Sequence, residues 1–300
     1  MPVYRCLENK LLALGAKKGV QARSFTSFRI GGEAAFFAEP RNADELMELL
    51  NAAQCCDYPV YVVGNGSNLL VSDEGVDALV IRIGSAMSNY SFSGNRLICE
   101  AGALLCTVAK ASVAAGLMGM EWAAGIPGTV GGAVAMNAGA YGGEIKQILR
   151  SVTYFSKGKL ITRQVCDCDL AYRHSAFAWP DAVVVSAEFE LQEDDGNAKK
   201  RMDEYNIQRR EKQPLEFPSA GSVFKRPAGH FAGALIEQAG LKGKRIGGAM
   251  VSPKHAGFIV NCGGATFEDV SGLIDFVREK VFENSGVMLE PEVKMIGKRR

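Results

Sequence analysis

Residues 124–144 read AGIPGTVGGAVAMNAGAYGGE, a run with seven glycines whose intervening residues are almost all apolar. A flexible linker is polar, and this stretch is not. Ile126-Pro127 fixes part of its backbone, because the proline ring sets φ and restricts the residue before it. Buried, glycine-rich main chain is needed where something broad and flat lies against it, or where a strand and a helix cross closely. A second segment narrows the choice. VVGNGSNLLV at 62–71 follows a strand-like run and offers closely spaced N–H groups beside small side chains, a concave arrangement suited to a pyrophosphate. It is not the dinucleotide fingerprint of a Rossmann unit. The third glycine is missing, Asn68 is followed by apolar extended residues instead of a helix, and no acidic residue ends a second strand about 20 positions on. One such loop is a plain turn as readily as a phosphate site, but the pair points to a large ligand lying on backbone. Its expected contacts are Gly64, Asn65, Gly66, Ser67, Asn68 and Leu69 from the first loop. From the second they are Gly125, Ile126, Pro127, Gly128, Thr129, Gly131, Gly132, Asn137 and Gly139.

The bulk numbers exclude several classes. Three hundred residues suit two or three packed subdomains, and 47% apolar with 22% charged residues is a globular composition. A net charge of +1 gives no reason to expect a nucleic-acid or membrane-surface partner. The basic end Lys298–Arg300 reads as a solvated terminus. MPVYRCLENKLL lacks the apolar core of a secretory signal, and no apolar run approaches the roughly 18 residues of a spanning helix, so a cytoplasmic protein without membrane insertion is expected. The eight cysteines include an adjacent pair, Cys55–Cys56, and Cys166/Cys168, but no C-x-x-C, and there are only three histidines. Those spacings give no metal site, and reduced thiols, several of them buried, fit better.

Along the chain, Asn42 is placed to cap a helix bearing Asp44 and Glu45 in its first turn and Leu46, Leu49, Leu50 and Ala53 on one side. Strands are expected at 58–63, 69–71, 79–83, 97–100, 152–155, 160–165 and 183–191, and a helix from about Leu104 to Gly116. A polar turn at 193–197 and a charged helix over 199–212 suggest a boundary, giving segments 1–84, 85–195 and 196–300. The final strand is expected to return toward the first of these. Helices follow at 232–238 and 267–282, the latter stopped by Gly286, with an extended piece at 257–260 between them. Residues 287–296 alternate, with Leu289, Val293 and Met295 on one face and Glu290, Glu292 and Lys294 on the other. That polar face calls for a purpose.

SFRIGG (27–32), the two glycine loops, YRHSAF (172–177), PSAGSVFKRP (218–227), LIEQAGLKGKRIGGAMVSPKHAGFIVN (235–261) and LEPEV (289–293) occur in this order. Together, over nearly the whole chain, they resemble the UDP-N-acetylenolpyruvoylglucosamine reductases of bacterial cell-wall synthesis. SFRIGG and the glycine loops alone resemble only the wider set of FAD domains shared with p-cresol methylhydroxylase and vanillyl-alcohol oxidase. The resemblance implies an α+β fold, a two-subdomain FAD-binding part of that type followed by a C-terminal α+β substrate domain. It implies dissociable FAD as cofactor and NADPH as reductant. The substrate is then a UDP-sugar, and the reaction saturates its enolpyruvyl ether to a lactyl ether. Between Arg173 and Ser222 there is no extra tyrosine-bearing insertion of the kind found in the longer form of the family, so the chain resembles the shorter, type II class.

Hydride addition to such an ether pushes charge toward the neighbouring carbon and carboxylate, and the resemblance implies three residues that answer this. Arg173 would hold the carboxylate in its planar fork. Glu292 would sit at the same carboxylate, useful only when protonated, so a raised pKa in the complex is expected. Ser222 would deliver the proton, which a serine can do only to a strongly basic carbon with help from a relay. Tyr172, Arg209, Lys225, Arg226, Gln238, His255 and Lys294 are expected around the sugar-nucleotide. A sugar or alcohol oxidase of the same superfamily, or a non-catalytic binding protein, would keep the glycine loops; the AGSVFKRP and LEPEV matches, and the presence of all three residues, argue against both.

Overall fold

The computed structural model describes residues 2–177, 180 and 182–297, with the side chains of residues 2–5 left aside; the basic end Lys298–Arg300 lies outside the described residues. Short apolar periods become helices and sheets much as their caps and breakers dictate. Asn42 accepts a hydrogen bond from the Glu45 N–H and starts the helix Ala43–Gln54, whose Leu46, Leu49, Leu50 and Ala53 are buried. Gly116 has a φ of +76° just beyond the helix Leu105–Ala114. A four-stranded sheet takes Lys17–Gln21, Glu33–Ala38, Val76–Arg82 and Val60–Val63 in that order, the last two parallel.

Contacts gather the chain into two units that interleave in sequence: residues 1–18, 36–65 and 78–208, and residues 19–35, 66–77 and 209–300. The threefold segmentation at 84 and 195 stands beside this as a proposal about sequence segments. In the first unit an antiparallel sheet runs in the order Lys159–Gln164, Leu149–Ser156, Val183–Glu190, Arg96–Glu100, Tyr90–Ser93, with Thr153 opposite Thr162 and Ala187 opposite Cys99. The helix Ala198–Lys212 is anchored to this unit through Arg201, whose guanidinium donates to the buried Glu121 at 2.7 Å and to Asp195 at 2.7 Å.

In the second unit the strands Ser219–Ser222, Phe258–Asn261, Ala249–Val251 and Arg245–Ile246 form an antiparallel sheet in that order. The helix Phe267–Ser285 starts at a capping box of Thr266 and Asp269 and stops at left-handed Gly286. Its Val270, Ile274, Val277 and Val281 join Phe28, Leu70, Val223 and Leu289 in one apolar core. The chain is thus α+β.

Two local expectations are corrected. The alternating segment at 287–296 is a strand only at Lys294–Ile296, where it pairs in parallel with Leu69–Val71. Pro291 cannot donate to a ladder, and the Glu292 and Val293 N–H groups both turn to the Val223 carbonyl. The alternation breaks there: Leu289 and Val293 are buried, but Met295 is exposed and Ile296 takes the inner place. The second glycine run, expected to be loop, contains the helix Val130–Ala135, capped by the Thr129 hydroxyl accepting from the Gly132 N–H. Among the cysteines, Cys99 and Cys168 are buried and Cys6, Cys55 and Cys166 exposed, all eight as free thiols. Burial pushes the Cys99 thiol up to about 12.

Candidate active site

The two glycine loops meet in the first unit. A Cβ built on Gly64 would lie 2.2 Å from Thr129 Oγ1, so the first loop needs glycine there to approach the second. The Asn65 amide donates to the Pro127 carbonyl at 2.7 Å, and Arg82 Nη2 reaches Asn65 Oδ1 at 3.5 Å. Val130 and Gly131 N–H groups donate to the Ala103 and Ala101 carbonyls, both at 2.8 Å. Gly143 lies flat on Trp122, where a Cβ would fall 2.1 Å from Cδ1. Of the glycines in the second loop, Gly131, Gly139 and Gly143 are packed too closely against their neighbours to carry a Cβ. Gly125, Ile126, Gly128, Gly131 and Gly139 are half-buried along it, while Pro127 and Gly132 are exposed. Asn137 stands apart from its expected use: its buried carboxamide donates to Glu144 at 3.1 Å and to the Ala171 carbonyl at 3.0 Å and accepts from the Lys146 N–H at 2.9 Å. It holds the loop in place with no side-chain hydrogen left for a ligand.

A cavity of about 240 Å³ opens beside this junction, lined by Asn65, Arg82, Gly84, Ser85, Ser88, Gly102, Ala103, Leu104, Thr107, Val108 and Thr129. Arg82 Nε is buried there with no hydrogen-bond partner among the described residues, a cost that an anion would remove. A cavity lined by the hydroxyl residues Ser85, Ser88, Thr107 and Thr129, two glycines and one unsatisfied guanidinium N–H fits the phosphates of a nucleotide cofactor. Arg82, Ser85, Ser88, Gly102 and Thr107 were not singled out from the sequence; the only local signal is the run VIRIGS at the end of a strand.

Of the rest of the first loop, which lies in the second unit, Gly66 has a φ of +61°, and its Cβ would fall 2.1 Å from the Phe25 carbonyl oxygen. Its own carbonyl accepts from the Ser27 N–H at 3.1 Å, which ties the loop to the SFRIGG segment, and Ser27 Oγ donates to the Ser219 carbonyl at 2.6 Å. Ser67, Asn68 and Leu69 are half-buried.

Arg173 is in the first unit, at the tip of a tight hairpin. Ala171 and His174 exchange both backbone hydrogen bonds at 3.1 Å, leaving Tyr172 and Arg173 as the two loop residues. Arg173 takes a φ of +54°, a left-handed conformation unusual for a side-chain-bearing residue and worth about 1–2 kcal/mol of strain. Its guanidinium lies 5.4 Å from the centre of the exposed Tyr172 ring. The hairpin is fastened to the second glycine loop by Asn137 at the Ala171 carbonyl and by the buried Ser175, which donates to the Ala135 carbonyl at 2.8 Å. Beside the same loop, Tyr141 stacks on Tyr205 with centroids 4.6 Å apart, a pair the sequence did not suggest.

Ser222 and Glu292 are brought together in the second unit. Ser222 ends the strand Ser219–Ser222 opposite Phe258, after left-handed Gly221 and a register slip. Its hydroxyl makes a long 3.3 Å bond to the Phe224 carbonyl, a weak tether that leaves the side chain easily redirected. The next residue's carbonyl, that of Val223, accepts from the Glu292 N–H at 2.7 Å, and the Val223 N–H donates to Gly257 at 2.8 Å. The Asn68 amide donates to the Glu292 carbonyl at 3.2 Å, and the Lys294 N–H donates to the Asn68 carbonyl at 3.0 Å. Lys225 is paired through its ammonium with Glu290 and through its N–H with the Glu290 carbonyl. Arg226 lies 4.0 Å from the centre of the exposed Phe231 ring. His255 Nδ1 accepts from the Gly257 N–H at 3.1 Å, which places its proton on Nε2, and burial, aided by Lys242, holds it below the usual histidine range. A Cβ on Gly257 would lie 3.0 Å from His255 Cε1 and 3.3 Å from Ser222 Oγ, so that glycine keeps the ring and the hydroxyl close. Lys294 is exposed on its strand; Gln238, at the end of its helix, is exposed, and Arg209 is half-buried on the helix Ala198–Lys212.

Residues 34–162 match the family model described as an FAD binding domain, and residues 213–296 match that of the UDP-N-acetylenolpyruvoylglucosamine reductase C-terminal domain. The chain is 46% identical to the UDP-N-acetylenolpyruvoylglucosamine reductase of Agathobacter rectalis, covering 98% of each. It is 47% identical to that of Lactococcus lactis, covering 92% of this chain and 93% of the other. The solved UDP-N-acetylenolpyruvylglucosamine reductase of Thermus caldophilus superposes with a TM-score of 0.80 at 36% identity, covering 93% of this chain and 98% of that one.

Proposed function

The chain belongs to the UDP-N-acetylenolpyruvoylglucosamine reductase family, and from this premise we propose that it is the NADPH-dependent enzyme that reduces UDP-N-acetylglucosamine enolpyruvate to UDP-N-acetylmuramate in the cytoplasm. It is an FAD-dependent oxidoreductase of peptidoglycan synthesis. Bound FAD supplies the two-electron carrier between NADPH and the carbon–carbon double bond. The loop surface at Gly64 and Gly125–Thr129 would hold it, with Arg82 against its phosphates.

The chain's own groups then have three tasks. The enol ether gains a hydride at one vinyl carbon and a proton at the other, while NADPH becomes NADP+. Arg173 binds the substrate carboxylate and offsets the negative charge that grows there. Glu292, kept protonated beside that carboxylate, donates to the enolate oxygen. Ser222 passes its proton to the carbon and recovers one through a relay by way of a lysine, water or a substrate oxygen. Tyr172, Arg209, Lys225, Arg226, Gln238 and His255 bind the sugar-nucleotide, and Lys294 adds positive charge near Glu292. The observation that most supports the roles is the Glu292 N–H to Val223 carbonyl bond at 2.7 Å, which puts a carboxyl residue and the Ser222 hydroxyl residue at one backbone contact.

The test is anaerobic. The FAD-loaded protein is bleached by NADPH, and UDP-N-acetylglucosamine enolpyruvate is then added. Return of the yellow absorbance with formation of UDP-N-acetylmuramate supports the assignment; flavin that stays reduced contradicts it.

A further inference from the structure

We propose that Asn68, the last polar residue of the first glycine loop, is a positioning residue that sets Glu292 for proton donation; the inference rests on the reading of Glu292 given above. Glu292 follows Pro291, which has no N–H, and precedes the strand Lys294–Ile296, so it lies outside any ladder. Its main chain is held from two sides. The N–H is held by the Val223 carbonyl at 2.7 Å, and the carbonyl is held by the Asn68 amide at 3.2 Å. The Asn68 main chain continues the clamp, its carbonyl accepting from the Lys294 N–H at 3.0 Å. Asn68 thus brackets residues 292–294 with one side-chain and one backbone bond, and strand pairing of Leu69 with Lys294 begins immediately afterwards.

This use of the side chain differs from that of a phosphate-loop asparagine. One of its two amide hydrogens is directed at a protein carbonyl, which leaves the other hydrogen and the carboxamide oxygen for a ligand. Removing the amide leaves the backbone bond to Lys294 and the strand pairing intact, so the fold persists while the Glu292 carbonyl loses this hydrogen bond. Displacing a proton donor by about 1 Å can cost on the order of a hundredfold in rate.

The experiment compares Asn68→Ala, Asn68→Asp and Glu292→Gln as FAD-loaded proteins, measuring FAD affinity and the two half-reactions separately by stopped flow. At FAD concentrations that saturate each protein, Asn68→Ala is expected to keep the rate of bleaching by NADPH within about threefold of the parent. Its reoxidation by the enol ether should slow by about tenfold to a hundredfold. Asn68→Asp keeps the shape but faces the carbonyl with a carboxylate. Its reoxidation should be slow at neutral pH and recover as the pH falls and the new carboxyl gains a donor hydrogen, a limb absent from the parent and from Asn68→Ala. A loss of FAD affinity that accounts for the whole rate change, or an Asn68→Ala protein that reoxidises at the parent rate while Glu292→Gln does not, overturns the positioning role alone. A Glu292→Gln protein with undiminished reoxidation overturns the underlying reading of Glu292 and this inference with it.

Discussion

The glycine-loop junction of the first unit and the Ser222–Glu292 corner of the second solve different problems with different parts of the amino acid. At the junction the working surface is backbone: glycines at 64, 131 and 143 are compelled by contacts at 2.2, 2.8 and 2.1 Å, and nearby side chains such as Asn137 are consumed in holding the shape. In the corner the backbone is the fixed part, held through Val223 and Asn68, while the Ser222 hydroxyl keeps only a 3.3 Å bond. A surface that must fit one rigid cofactor is made by removing side chains. A site that must move a proton keeps its hydroxyl lightly tethered on a frame of backbone hydrogen bonds.

That contrast is broken most directly through the reacting groups. Arg173→Ala and Glu292→Ala should each cost about 3–4 kcal/mol of barrier in the enol-ether half-reaction, with FAD retained and thermal stability little changed, as measured by half-reaction kinetics and melting. Gly64→Ala should do the reverse. A methyl group against the capped, buried Thr129 costs about 1–3 kcal/mol of stability and displaces the cofactor, so FAD content in the purified protein falls before any catalytic constant is touched.

A smaller effect separates strain from chemistry at Arg173. Arg173→Gly and Arg173→Ala should be slowed alike in the enol-ether half-reaction, but glycine accepts the φ of +54° without penalty, and Arg173→Gly should be more stable than Arg173→Ala by about 1 kcal/mol in denaturant titrations. Equal stability would mean that the left-handed tip carries no strain.

The smallest effect is the pH dependence contributed by His255. Its folded pKa lies below the unfolded one because burial penalises the charged ring. Between those two values the unfolded chain binds more protons, so this contribution is fully present above about pH 6.5 and is lost as the pH falls toward the folded value. His255→Gln should therefore lose less melting temperature than the parent between about pH 7.5 and pH 5.5.

How much of this was legible in the sequence follows the same contrast. Helix ends written in local chemistry, Asn42 before Ala43 and Gly286 after Ser285, are where the caps place them. The two loops were legible as a glycine surface, yet the helix Val130–Ala135 inside the second was hidden, since Gly131 and Gly132 argue against helix and only Thr129 marks its start. The cavity wall was not legible, because Arg82, Gly102 and Thr107 come from separate segments and none carries a pattern of its own. The alternation at 287–296 promised a longer strand than Pro291 permits. Leu7 and Leu11, buried one turn apart on the helix Pro2–Ala13, are too brief a period to have announced that element. Ser222, Arg173 and Glu292 were readable only as members of motifs, because a single serine, arginine or glutamate has no spacing to betray it.

The division between a backbone cradle for the cofactor and a side-chain corner for the proton is tested most directly by Ser222→Ala. With both half-reactions followed anaerobically in the FAD-loaded protein, bleaching by NADPH should proceed at the parent rate while reoxidation by UDP-N-acetylglucosamine enolpyruvate is blocked. Equal slowing of the two half-reactions, or reoxidation at the parent rate, would contradict it.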